Sequence, residues 1–242
     1  MNSKAFAPSF AHCACFAVTF GLLTFSANAS SFVPLPPSSF ASLGSGLPGI
    51  GGTVIDARDS PFFGSTEFQG VLRSLVVDNG SGYDFYYQLV NNGTDLGIGA
   101  EIFRIATVAG FEGATLGVTY RTNLTNLNLG SFASGPAGGV GAYSVGTKTV
   151  FSADRDLGGT GAVGFDFSPS HFLYDPNNIL PGETSQIAVV HTNLTSYANS
   201  TIEVSGVGTA QVASFASFAT VPEPQSAVLA VLGAAALIRR RR

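Results

Sequence analysis

Hydrophobic and polar residues alternate with a period of two along several short stretches of this chain, and glycine- or asparagine-bearing breaks separate them. Residues 71–77 read as a strand, Asp78-Asn79-Gly80-Ser81-Gly82 as a turn that accepts positive φ, and residues 83–90 as the returning strand of a hairpin. In that second strand Tyr83, Phe85, Tyr87 and Leu89 share one face. Asp84, Tyr86 and Gln88 share the other, which is therefore predicted to be wet or only partly covered. After the turn Asn91-Asn92-Gly93, the stretch 98–108 sets Ile102, Arg104, Ala106 and Val108 against Glu101, Phe103, Ile105 and Thr107. Neither face is purely apolar, which predicts a strand that is central on one side and edge-exposed on the other. Residues 115–120, 142–151, 161–167, 185–192, 201–207 and 212–218 supply further strands. About eight short strands with turn signals between them predict a mainly β body, an antiparallel β-sandwich or jelly roll, with closure into a barrel as the alternative.

Composition sharpens that picture. Of thirty glycines, all but Gly21 and Gly233 fall between residues 30 and 220, about twice the usual share of roughly 7%. Glycine at that density interrupts helices repeatedly, so helices are expected only at the two ends. Residues 38–52 are rich in Ser, Gly and Pro and read as a loosely ordered approach to the fold. The net charge of −4 conceals a more acidic body, because Lys4 and the four terminal arginines supply five of the eleven cations while Glu223 is the single acid outside it. Fourteen carboxylates against six cations give the body −8. That leaves no basic stripe to neutralise phosphates and argues against nucleic acid as a partner. Both cysteines, Cys13 and Cys15, precede the body, so the body can form no disulfide and offers no thiolate nucleophile or zinc ligand.

The ends differ in kind from the body. Lys4 precedes an almost wholly apolar run at 13–25, and Ala27 and Ala29 put small residues at the two positions a signal peptidase reads. Together they predict a signal helix within 1–29 and cleavage before Ser30. At the other end Val221-Pro222-Glu223-Pro224 leads into an apolar run at 227–238, followed by Arg239, Arg240, Arg241 and Arg242. The prolines hold an extended segment, the apolar run favours a bilayer, and the arginines stay on its cytoplasmic side. Twelve apolar residues make about 18 Å of helix against a hydrocarbon core of about 30 Å, a weakly held span suited to later removal.

This order closely resembles the PEP-CTERM sorting signal of exopolysaccharide-producing Gram-negative bacteria, with Pro222, Glu223 and Pro224 in the motif positions. The resemblance implies recognition by a membrane-embedded cysteine protease of the exosortase type. It also implies transient inner-membrane anchoring and a final place in the cell envelope, at the cell surface or in the extracellular matrix. The runs Phe68-Gln69-Gly70-Val71-Leu72, Tyr83-Asp84-Phe85-Tyr86-Tyr87-Gln88, Pro181-Gly182-Glu183-Thr184-Ser185 and Val190-His191-Thr192-Asn193 are similar to the bodies of other PEP-CTERM surface proteins, a likeness that assigns no residue a role. The expected organisation is a signal peptide at 1–29, a lead-in at 30–52, a β-sandwich domain at 53–213, a linker carrying the motif at 214–224, and a short C-terminal transmembrane helix with its arginine tail at 225–242.

Candidate chemistry in the body is sparse. A Ser-His-Asp hydrolase would need His171 or His191, yet no Gly-x-Ser-x-Gly elbow precedes either, and a structural or solvent-exposed role is expected for both. Asp154 and Asp156 are weak candidates for a calcium loop. Calcium wants six to eight oxygen ligands, and a solvated turn in which Arg155 softens the repulsion between the two acids is the favoured reading. Glu101 with Glu112, or Asp56 with Asp59, would make a glycosidase pair only at the right separation. Tyr83, Phe85, Tyr86 and Tyr87 would suit a sugar-stacking platform or the core, and the core is favoured, for Phe85 above all. The sequence thus reads as a non-enzymatic exported protein without cofactor or metal, its partners being signal peptidase, an exosortase-like protease and the exopolysaccharide. A carbohydrate-binding module for that polysaccharide is the alternative.

Overall fold

A computed structural model describes residues 33–36, 39–43, 51–64, 68–94, 100–124, 126–128, 143, 145–156, 161–170 and 175–218. These residues are mainly β, with no α-helix among them. The leader, with Ala27, Ala29 and Ser30, lies outside the described residues, as do His171 and the tail with Val221, Pro222, Glu223, Pro224 and Arg239, Arg240, Arg241 and Arg242.

Among the described residues thirteen strands follow in chain order: β1 (Val33–Pro34), β2 (Phe40–Ser42), β3 (Gly52–Phe63), β4 (Gln69–Asp78), β5 (Tyr83–Asn91), β6 (Ile102–Thr107), β7 (Leu116–Arg121), β8 (Leu127–Asn128), β9 (Ser152–Arg155), β10 (Val163–Asp166), β11 (Ile187–Thr192), β12 (Tyr197–Gly206) and β13 (Thr209–Ser217). One sheet has the order β1-β7-β11-β5-β4-β3-β8 and the other β13-β12-β6-β10-β9-β2. All pairings are antiparallel except the short one between β3 and β8. The two sheets share one apolar core. Leu72, Val76, Phe85, Tyr87, Leu89, Val118 and Val190 of the first meet Ile105, Ala153, Val163, Phe165, Ile202, Val212 and Phe215 of the second.

The hairpin expected at residues 71–90 is present as β4–β5, with Asp78 opposite Tyr83. Its turn is locked by side chains: Asn79 Oδ1 accepts from the Ser81 and Gly82 amides at 2.8 and 3.0 Å, and Asp78 Oδ1 accepts from the Gly80 amide at 2.8 Å. Gly80 sits at φ 85°, where a side chain would be strained.

The opposite face of β5 differs from expectation. Asp84, Tyr86 and Gln88 are fully buried, because a second apolar cluster of Val54, Leu75, Val77, Tyr86, Ile187 and Val189 covers that face with help from Leu124, Leu127 and Tyr143. Part of the polar set there is met internally. Arg121 donates to the Tyr86 hydroxyl at 3.0 Å, Gln88 Nε2 donates to the Ser185 carbonyl at 3.0 Å, and burial pushes the Tyr86 phenol up to about 12.

Two further expectations need correction. The strand at 98–108 is found as β6, central rather than edge-exposed, because β12 and β10 pair with it on either side. The described part of 142–151 forms no strand and contributes only the isolated bridge from Lys148 to Ser185. Conversely, β3 is the longest strand although its sequence reads as polar, with Asp56, Arg58, Asp59, Ser60 and Pro61 in its middle. Its ladder to β4 carries a register shift between Val54 and Asp56, and β8 reaches only Gly52 and Thr53 on the other side. Pro61 is therefore tolerated, since its missing N–H faces an edge and costs no ladder bond. Short pieces of the lead-in also join the sheets: β1 pairs with β7 and β2 with β9.

Candidate functional site

The residues singled out for chemistry fall into separate groups. His191 is the penultimate residue of β11, and the antiparallel register sets it opposite Asp84 of β5. Asp84 is fully buried, and its Oδ1 lies 2.6 Å from His191 Nδ1 and 2.6 Å from Asn79 Nδ2. A carboxylate only accepts, so Nδ1 carries the shared proton and the ring orientation is fixed. A carboxylate that holds a ring Nδ1–H is also the arrangement that orients the base in Ser-His-Asp sites. The hydroxyl of the adjoining turn, Ser81 Oγ, is instead engaged by Asn79 Oδ1 at 2.7 Å. The sequence paired neither histidine with a carboxylate, because strands β5 and β11 are about a hundred residues apart and only their register joins His191 to Asp84.

Asp154 takes part in a different constellation from the one expected. Arg104 of β6 crosses β10 and donates to Asp166 Oδ1 at 2.6 Å and to Asp154 Oδ1 at 2.8 Å, while Ser152 Oγ donates to Asp166 Oδ2 at 3.0 Å. Gly164 lies under the guanidinium, where a Cβ would collide with Arg104 and Asp154. Burial opposes the charge of Arg104, but the bonds and charges of Asp154 and Asp166 outweigh it and hold its pKa above the usual arginine range. Arg155, assigned by sequence to soften the repulsion between Asp154 and Asp156, does something else. It points to the opposite face, is buried, and donates to the carbonyls of Leu35, Ala114 and Phe111 at 3.3, 3.1 and 2.7 Å. Burial lowers its pKa. Arg104 is the residue that neutralises Asp154, and its position in the sequence, flanked by Phe103 and Ile105 in an apolar strand, was the available signal.

The imagined acid pairs are engaged separately. Glu101 is buried and accepts from Asn178 Nδ2 at 2.7 Å, whereas Glu112 is exposed in the turn after Phe111. Asp56 accepts from the Tyr197 hydroxyl at 3.2 Å, while Asp59 faces Arg73 at 3.6 Å. Burial raises the pKa of Asp59 more than the Arg73 charge lowers it. Of the four aromatics of β5, Phe85, Tyr86 and Tyr87 are buried. Tyr83 keeps partial exposure and packs edge-on against Tyr197, with centroids 5.6 Å apart.

Among the described residues no three His, Cys, Asp or Glu side chains come together to hold a metal ion, and no helix is long and apolar enough to cross a membrane. Compared with known protein families, curated proteins and solved structures, the chain shows no match.

Proposed function

We propose that this chain is a non-enzymatic exported surface or extracellular-matrix protein, sorted and processed through its C-terminal signal. The observation that carries the reading is the order of the tail: Pro222-Glu223-Pro224, then the apolar run, then Arg239, Arg240, Arg241 and Arg242. The leader with Ala27, Ala29 and Ser30 supports it from the other end. Signal peptidase removes the leader, the tail holds the chain briefly in the inner membrane of a Gram-negative bacterium, and an exosortase-like protease releases the body to the envelope or the exopolysaccharide layer.

The body suits a passive role, because the side chains that could do chemistry are tied into structural bonds: Asp84 to His191 and Asn79, Asp166 to Arg104 and Ser152, Glu101 to Asn178. We read its two sheets and their shared core as an antiparallel β-sandwich of the jelly-roll kind. Carbohydrate binding stands as a second reading, supported by the partly exposed Tyr83 and Tyr197 with Asp56 beside them.

The testing experiment replaces all four terminal arginines with glutamine and follows the protein by cell fractionation. Loss of the cytoplasmic stop should impair retention and sorting, so that the envelope-associated, processed form falls sharply. Unchanged localisation and processing would remove the argument from the tail.

A further inference from the structure

Among the described residues four strands end the two sheets, and three of them are poor templates for another chain. β1 and β8 have two residues each, β1 carrying Pro34, and β2 has three. The exposed side of β3, next to the short β8, carries Asp56, Arg58, Asp59 and Pro61. Charges, prolines and brevity are the usual means by which proteins blunt sheet edges. β13 has none of them: its nine residues, TAQVASFAS, include no charge and no proline.

The direction of its backbone groups follows from the ladder. Thr201 of β12, opposite Ala213, turns its carbonyl away from β13 to accept from the Val108 amide at 2.9 Å. The Thr201–Ala213 pair is therefore of the non-hydrogen-bonded type, and Ala213 points its own N–H and C=O to the open side. The same parity applies to Thr209, Gln211, Phe215 and Ser217. Phe215 and Ser217 obey it visibly, their carbonyls accepting from the Tyr87 hydroxyl at 2.7 Å and the Phe111 amide at 2.6 Å. Thr209, Gln211 and Ala213, with exposed side chains, complete an outward row.

We propose that this row is an interface between two copies of the chain, which join their six-stranded sheets through antiparallel β13–β13 pairing about a two-fold axis at Gln211. That register sets Gln211 opposite its own copy and Thr209 opposite Ala213 of the second copy, using every open residue in about six hydrogen bonds. Charge does not oppose pairing at this edge. The nearest acid on the neighbouring strand, Glu203, pairs with Gln211 across β12, so the two copies of Glu203 stand about three strand spacings, roughly 14 Å, apart. At physiological salt that exceeds the screening length of about 8 Å. The inference does not depend on how the tail is processed.

The test uses the full-length protein in mild detergent with Cys13 and Cys15 replaced by serine. In the proposed register the two Gln211 Cα atoms lie about 5.5 Å apart, within disulfide range, whereas the two Thr209 Cα atoms lie about 14 Å apart. Gln211→Cys should cross-link to a covalent dimer under mild oxidation and Thr209→Cys should not. Gln211→Lys should abolish the dimer in sedimentation velocity while leaving the unfolding midpoint unchanged at protein concentrations where the parent is itself monomeric. A monomeric parent protein, equal cross-linking at both positions, or a dimer that survives Gln211→Lys would each overturn the proposal.

Discussion

Replacing Arg155 with methionine is expected to destabilise the folded body by about 3 kcal/mol. The substitution roughly conserves volume, so little is lost in packing. What it removes is the donor shared by three carbonyls, those of Leu35, Phe111 and Ala114, which tie β9 to the segment after β1 and to the turn before β7. Each orphaned carbonyl costs about 1 kcal/mol. Removing a buried charge returns part of that, but the carbonyls belong to the backbone and cannot be replaced along with it. Swaps of whole buried ion pairs for apolar residues, which can be neutral, are therefore a poor guide here. Arg155→Lys keeps the charge with a narrower reach and should fall between wild type and Arg155→Met. Urea unfolding with an unchanged m-value reads the effect, and a midpoint that does not move in Arg155→Met would show that these three bonds contribute nothing net.

Arg104→Met should cost a similar amount, about 3 kcal/mol, for a different reason. The Asp166 side chain is only 2% exposed, and without the guanidinium its charge loses the ion pair and the bond on Oδ1 while the Ser152 hydroxyl stays on Oδ2. Asp154, at 38% exposed, can turn to water, so Asp154→Asn should cost under about 1 kcal/mol. The double variant Arg104→Met with Asp166→Asn should recover much of the loss, giving a coupling above about 1 kcal/mol in a double-mutant cycle. Additive losses would mean that Arg104 acts through packing over Gly164 alone.

The residues that made the body legible are those whose local pattern and tertiary place agree. Phe85, Tyr87 and Leu89 alternate as a strand should and enter the core, and Asn79-Gly80 turns the chain where its side-chain bonds and positive φ require. The misses share a physical cause, which is that pairing overrides local character. β3 looks polar because its core-facing residues are few and its charges are matched by distant partners: Arg58 donates to Asn199 at 2.7 Å and lies 4.7 Å over the Phe215 ring. The face of Asp84, Tyr86 and Gln88 looks wet because no local signal announces that Leu124, Leu127 and Tyr143 will fold over it. The His191–Asp84 contact and the Arg104–Asp166 pair depend on strand register alone, and register over long separations is set by the whole sheet. The proposed sorting signal is of the reverse kind, since it rests on the order and composition of residues 221–242 and not on pairing.

Intact-mass analysis of the native protein recovered from the cell envelope and the extracellular matrix tests the central claim most directly. Processing at both ends predicts a species that begins at Ser30, ends before Arg239 and weighs clearly less than the 24.8 kDa of the whole chain. A mature species carrying both Met1 and Arg242 at the full mass would contradict it.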